Sequence, residues 1–220
     1  MPRSSISTPN TTAERPLKKQ IDNPFAPEDF NSLLGAEVVL NPATRNPNLR
    51  RIARNIYDRQ KVKDRDLGMV ELQTLGGFGA EMAFKDLIPS SVIVNESVVD
   101  ITDTDYEELR RDVRYNGIPI SIKTADDNQE KNVRKWWIAE KQRKSIWDER
   151  HFCEYLVVFG VRWESLTGEN RYRPKFLIDH RRFAENFDRY AKKNNDTAFS
   201  YLFEDEKAID AKLCIDLRKN

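Results

Sequence analysis

Between Arg111 and Lys123 the chain reads Arg-Asp-Val-Arg-Tyr-Asn-Gly-Ile-Pro-Ile-Ser-Ile-Lys, two alternating runs around an Asn-Gly pair. That pattern predicts a two-residue β-hairpin with a type I′ turn at Asn116-Gly117. Counting outward from the turn pairs Tyr115 with Ile118, Arg114 with Pro119, Val113 with Ile120 and Asp112 with Ser121. Directly opposed residues share a face of the sheet. One face then carries Val113, Tyr115, Ile118 and Ile120, and the other carries Asp112, Ser121 and Lys123. Pro119 has no N–H, and this register puts it at a non-hydrogen-bonded pair, where none is needed.

Other patterns fill in the chain around the hairpin. Residues 1–28 are rich in Ser, Thr, Pro and Asn with little apolar periodicity, which predicts a flexible arm bearing Arg3, Arg15, Lys18 and Lys19. The folded part, 29–220, opens at Phe30, with Val38-Val39-Leu40 and a break at Asn41-Pro42. Leu49, Ile52, Ala53, Ile56 and Tyr57 recur at helical spacing and predict a helix over 48–63. Leu75-Gly76-Gly77-Phe78-Gly79 reads as a break before a helix over 80–87, which Pro89 ends. Phe78, just before that helix, and Met82 and Leu87 within it are expected to turn inward. A strand over 91–99 and an acidic loop over 100–108 lead to the hairpin. A helix over 129–147 follows, with Val133, Trp136, Trp137 and Ile138 on its apolar side. The nearly all-apolar run 155–163 predicts a central strand buried on both faces. Residues 175–178 predict another strand. Helices are expected over the remainder, with Phe183, Phe187 and Tyr190 on one face, and 211–217 can add an edge strand. This order predicts an α/β (α+β) fold, a central mixed β-sheet flanked by helices.

Composition narrows the class. Of 220 residues, 39% are hydrophobic and 33% charged, and the net charge is +1, so nucleic-acid binding would rest on local basic patches. Two such patches are visible. The helix over 48–63 carries Arg50, Arg51, Arg54, Arg59, Lys61 and Lys63 against Asp58, and the segment over 129–147 carries Arg134, Lys135, Lys141, Arg143 and Lys144. Cys153 and Cys214 stand in no metal or redox spacing, which points to a reducing, cytoplasmic compartment. The apolar runs are too short to span a bilayer, and the first residues lack the apolar stretch of a signal peptide. His151 and His180 are isolated and read as structural or surface side chains. Asp100, Asp103 and Asp105 read as a solvated loop.

Hydrolysis of a phosphodiester needs an activated water and neutralisation of the charge on phosphorus. Mg²⁺ held by one or two carboxylates supplies both. Asp112 and Lys123, on one face of adjacent strands, have the placement for this chemistry. The Ile122 carbonyl can complete a metal site, and Glu81, on the preceding helix, can supply a second carboxylate. With that Glu-bearing helix, a strand, and a hairpin with Asp on one strand and x-Lys on the other, residues 76–163 resemble the PD-(D/E)xK nuclease superfamily, which includes the type II restriction endonucleases. The pattern departs from the family's in two places. Arg111 stands where the motif has Pro, and Ser121 stands where it has Asp or Glu.

The resemblance implies a restriction-endonuclease-like fold, with a helical, DNA-contacting portion over 29–75 and a catalytic core over 76–163. It implies a Mg²⁺-dependent type II restriction enzyme cutting double-stranded DNA as a homodimer in a prokaryotic cytoplasm. Glu81 and Asp112 would hold the metal with Ile122, Lys123 would position the water, and Ser121 would line the site. Glu130 or Glu140 can replace the missing acid. A repair or resolvase-type nuclease, and a non-catalytic DNA-binding protein on the same scaffold, are the other readings.

Overall fold

The computed structural model of the chain describes residues 21–60, 66–94, 112–127, 135–139, 153–164, 168–185, 191–193, 199–204 and 214–218. The hairpin forms as its turn chemistry dictates. Strand β3 (Val113–Tyr115) pairs antiparallel with β4 (Ile118–Asp126) in the expected register, Val113 against Ile120 and Tyr115 against Ile118. Asn116 and Gly117 both take positive φ, 49° and 82°, as a type I′ turn requires.

This hairpin lies within a mixed sheet of order β1-β7-β6-β4-β3-β2, formed with β1 (Val38–Leu40), β2 (Val92–Ile93), β6 (Tyr155–Arg162) and β7 (Asn170–Asp179). Strand β6 runs parallel to β4 and antiparallel to β7. Its residues Leu156 to Val161 are all buried, as an all-apolar central strand should be. The edge segment expected over 211–217 is β10 (Cys214–Asp216), which also pairs with β7. The fold is therefore mixed α/β, a mixed sheet flanked by helices, as expected.

A long helix packs on this sheet. It runs unbroken from Leu67 to Leu87, so the expected break at Gly76-Gly77-Phe78-Gly79 is corrected. Before it come α1 (Pro27–Leu33), α2 (Pro42–Arg45) and α3 (Leu49–Gln60), and the long helix is α4. Asp66 caps α4 by accepting a hydrogen bond from the Met69 N–H at 2.7 Å. Its glycines cost about 1 kcal/mol each against Ala, but tertiary packing requires two of them. A Cβ on Gly76 would lie 2.7 Å from the Trp163 ring, and one on Gly79 would meet the Tyr172 phenol and lie 2.8 Å from Pro42. Both glycines let the helix settle close to the sheet. Ala80, Ala83 and Phe84 then enter the main core with Val113, Ile120, Val157, Phe159 and Tyr172. On the other side, α3 presses Leu49 and Ile52 against Leu75, with Phe78 and Met82 partly buried around them. Tyr57, expected on the apolar side of α3, is exposed.

Three further expectations are corrected. Residues 135–139 form a strand, β5 (Lys135–Ala139), not part of a helix. Trp-Trp-Ile is a short apolar run that suits either element, and aromatic and β-branched side chains favour the strand when a partner is at hand. That partner, β9 (Phe199–Glu204), also pairs with β8 (Ala191–Lys193), so strands replace helices there too. Only α5 (His180–Glu185) is helical in this part of the described residues. The arm is also shorter than residues 1–28. Ile21 and Phe25 are buried in the core, and Phe25 lies edge-on to Tyr115 with ring centroids 5.0 Å apart. The Tyr115 hydroxyl clamps this segment, donating to Asp29 at 2.8 Å and accepting from the Ala26 N–H at 3.0 Å.

Candidate active site

The hairpin register brings Asp112, Ser121 and Lys123 together. Asp112 Oδ2 accepts from the Ser121 hydroxyl at 2.8 Å and from the Ile122 N–H at 2.5 Å, with Lys123 Nζ at 3.7 Å. Strand alternation is the cause. Ser121 and Lys123 are two residues apart on β4 and project to the same side, while the intervening peptide offers its N–H to the carboxylate. Asp112 itself is fixed at the start of β3, where its carbonyl accepts from the Val94 N–H. Asp112 and Ser121 are buried, and about a third of the Lys123 side chain reaches solvent.

Glu81 joins this group from α4. It is 8% exposed, and its Oε2 is buried without a hydrogen-bond partner. Burial pushes the Glu81 carboxyl well above the usual carboxylate range, and the negative charge of Asp112 pushes it further, with Lys123 opposing. Burial also raises the Asp112 carboxyl, against the lowering effects of Lys123, Ser121 and the Ile122 N–H. Two buried carboxyls thus share one ammonium, so the group lacks positive charge. That deficit, with an unpartnered acid oxygen, is what a divalent cation would correct. The donors are hard oxygens, as Mg²⁺ prefers. No cluster of three or more His, Cys, Asp or Glu side chains forms among the described residues, so a cation here would rest on two carboxylates and the Ile122 carbonyl.

Glu81 also lines a cleft of about 450 Å³ between α2, α4 and β2. On one wall, Arg45 makes a two-pronged ion pair with Asp86, 2.8 Å at each contact. Sequence patterns gave no sign of Arg45, which ends a four-residue helix too short for periodicity.

The remaining candidates scatter. Arg50, Arg51 and Arg54 are exposed on α3. Lys135 lies on β5 instead of a helix, while Lys61, Lys63, Arg134, Lys141, Glu130, Glu140, His151 and the acidic loop over 100–108 lie outside the described residues. His180 is structural, buried with Nδ1 2.9 Å from the Cys153 carbonyl and 3.1 Å from its sulfur. Burial pushes the Cys153 thiol up to about 12, which disfavours the thiolate. No helix among the described residues is long and apolar enough to cross a membrane. Comparison with family models, with curated proteins and with solved structures gives no match.

Proposed function

We propose that the chain is a Mg²⁺-dependent endonuclease acting on double-stranded DNA, of the type II restriction kind and working as a homodimer. The observation that carries this reading is the group of Glu81, Asp112, Ser121 and Lys123, in which two buried acids share one partly exposed lysine. The same residues carry the resemblance to the PD-(D/E)xK superfamily, and the helix, strand and hairpin follow one another in that pattern's order.

Each residue has a role that its position supports. Glu81 and Asp112 would hold Mg²⁺ together with the Ile122 carbonyl. When bound, the ion supplies a lowered water pKa and charge neutralisation on the phosphoryl oxygens. Asp112 Oδ2 is taken up by Ser121, Ile122 and Lys123, which leaves Oδ1 for the cation. Ser121 adds no charge of its own, and its hydroxyl fixes the orientation of Asp112. Lys123 stays partly in contact with solvent, where its ammonium can orient a water and balance charge on the phosphate. Arg50, Arg51 and Arg54 offer an exposed basic face for the DNA backbone. A homodimer would provide two such sites for the two strands of a palindrome.

The test is incubation of the purified protein with plasmid DNA and Mg²⁺, against an EDTA control. Discrete fragments are expected, and Asp112→Ala or Lys123→Ala should slow cleavage by about 10²–10⁴-fold while leaving the fold intact. Random nicking would move the assignment to a repair nuclease. A mobility shift without cleavage would leave a binding protein. Undiminished cleavage by both variants would overturn the site.

A further inference from the structure

The cleft beside Glu81 has a chemistry of its own. Its apolar wall is Phe78, Met82 and Ile93, and its charged side is Arg45, Lys85 and Asp86. Asp86 is occupied by Arg45, and the Lys85 ammonium is held by the Pro89 and Ser91 carbonyls. Arg45 still has 45% of its side chain exposed, and its pair with Asp86 leaves Nε uncommitted to that contact. The cleft therefore combines a guanidinium held in place by Asp86 with the apolar side chains of Phe78, Met82 and Ile93. A volume of about 450 Å³ falls within the range of small-ligand sites. A flat apolar ring attached to a phosphate fits this division, since bases pack on aromatic side chains and guanidinium groups bind phosphate.

We propose that this cleft seats one nucleotide of the strand being cut, taken out of base pairing, with its base against Phe78, Met82 and Ile93 and its phosphate on Arg45. The proposal rests on the nuclease reading of Glu81 and its neighbours, because the shared Glu81 places the cleft next to the phosphodiester that would be hydrolysed. A base within a duplex presents only its edges, so filling such a cleft requires the nucleotide to leave the stack. The substrate class is thereby narrowed to DNA in which a nucleotide next to the cut is unpaired or readily extruded.

The chain has three methionines, Met1, Met69 and Met82, and Met69 is exposed on the first turn of α4. Carbon-13 methyl labelling of methionine therefore gives three signals, and Met82→Leu assigns the one in the cleft. Thymidine 5′-monophosphate, titrated into the full chain with and without Mg²⁺, should move the Met82 signal saturably and leave the other two in place. Arg45→Ala should weaken that binding tenfold or more, and thymidine or inorganic phosphate alone should bind at least tenfold more weakly. A Met82 signal unmoved through the millimolar range, equal movement of all three, no effect of Arg45→Ala, or full binding by phosphate alone would each overturn the proposal. No readout here depends on cleavage. Binding at Met82 without nuclease activity would sink the nuclease reading and leave the cleft, and cleavage without binding would do the reverse.

Discussion

Two acid–lysine groups are built into this sheet, and they are balanced differently. At the end of β4, Asp127 faces Lys175 of β7 at 2.9 Å, with 6% and 9% of the side chains exposed. At the hairpin, Asp112 faces Lys123 at a longer 3.7 Å, nearly a third of that lysine is in solvent, and Glu81 is a second acid under the influence of the same ammonium. Asp127 Oδ1, like Glu81 Oε2, is buried without a hydrogen-bond partner, but Asp127 and Lys175 match one charge with one charge, and Gly160 makes room for them. A Cβ there would lie 2.5 Å from Lys175 Cε and 2.7 Å from Asp127 Oδ2. The first group has the makings of a structural ion pair. The second leaves Glu81 as a surplus buried acid, which either a proton or a cation would accommodate. Both are acid–lysine contacts, and the number of charges and their exposure are what the proposed catalytic role of the hairpin group rests on.

The largest effect expected from this contrast is on stability. Lys175→Met strands a buried carboxylate and should cost about 3–5 kcal/mol. Lys123→Met removes a longer contact from a partly exposed partner and leaves Asp112 its hydrogen bonds from Ser121 and the Ile122 N–H, so it should cost less, about 1–3 kcal/mol. Chemical denaturation of the two variants compares them directly, and equal losses would erase the distinction.

Gly160→Ala comes next. It forces a methyl group into the Asp127–Lys175 contact and should destabilise by about 1–3 kcal/mol without affecting any property of the hairpin site.

A smaller effect has the opposite sign. Unfolded, Glu81 titrates near its ordinary 4.5, and burial keeps it protonated to higher pH in the folded protein. Folding therefore takes up a proton between the two values. The stability associated with Glu81 is complete below 4.5 and is lost as pH rises through the folded value. Asp112 shifts in the same direction from 3.8. In EDTA, Glu81→Gln should flatten this pH dependence and raise stability at pH 8 by about 0.5–2 kcal/mol. A steeper decline in the variant would contradict the origin assigned to it.

The hairpin site was legible in the sequence because its signals are local. Asn-Gly sets the turn, the turn sets the register, and the register places Asp112 across from Ser121 with Lys123 alongside. Strand β6 was legible for a similar reason, its unbroken apolar run. The glycine stretch of α4 was not, because local propensity treats each glycine as a loss, and only contact with Trp163 and Tyr172 explains why the helix tolerates it. Trp136, Trp137 and Ile138 failed for want of a period, since three adjacent apolar residues fit a helix or a strand, and β9, some sixty residues on, decides. Phe25 is illegible in the sequence because a single aromatic in a polar segment has no pattern. Glu81 could be named from the sequence, but its unpartnered oxygen and its proximity to Asp112 come from tertiary packing alone.

Under the proposed reading the hairpin group would take up one cation and the Asp127–Lys175 pair would not. Counting bound Mn²⁺, a stand-in for Mg²⁺ at oxygen sites, by electron paramagnetic resonance tests it most directly. Saturable binding is expected in the unaltered chain and in Gly160→Ala, and loss of that binding in Asp112→Ala and in Glu81→Gln. Binding that survives both of those substitutions, or no saturable binding in the unaltered chain, would contradict the account.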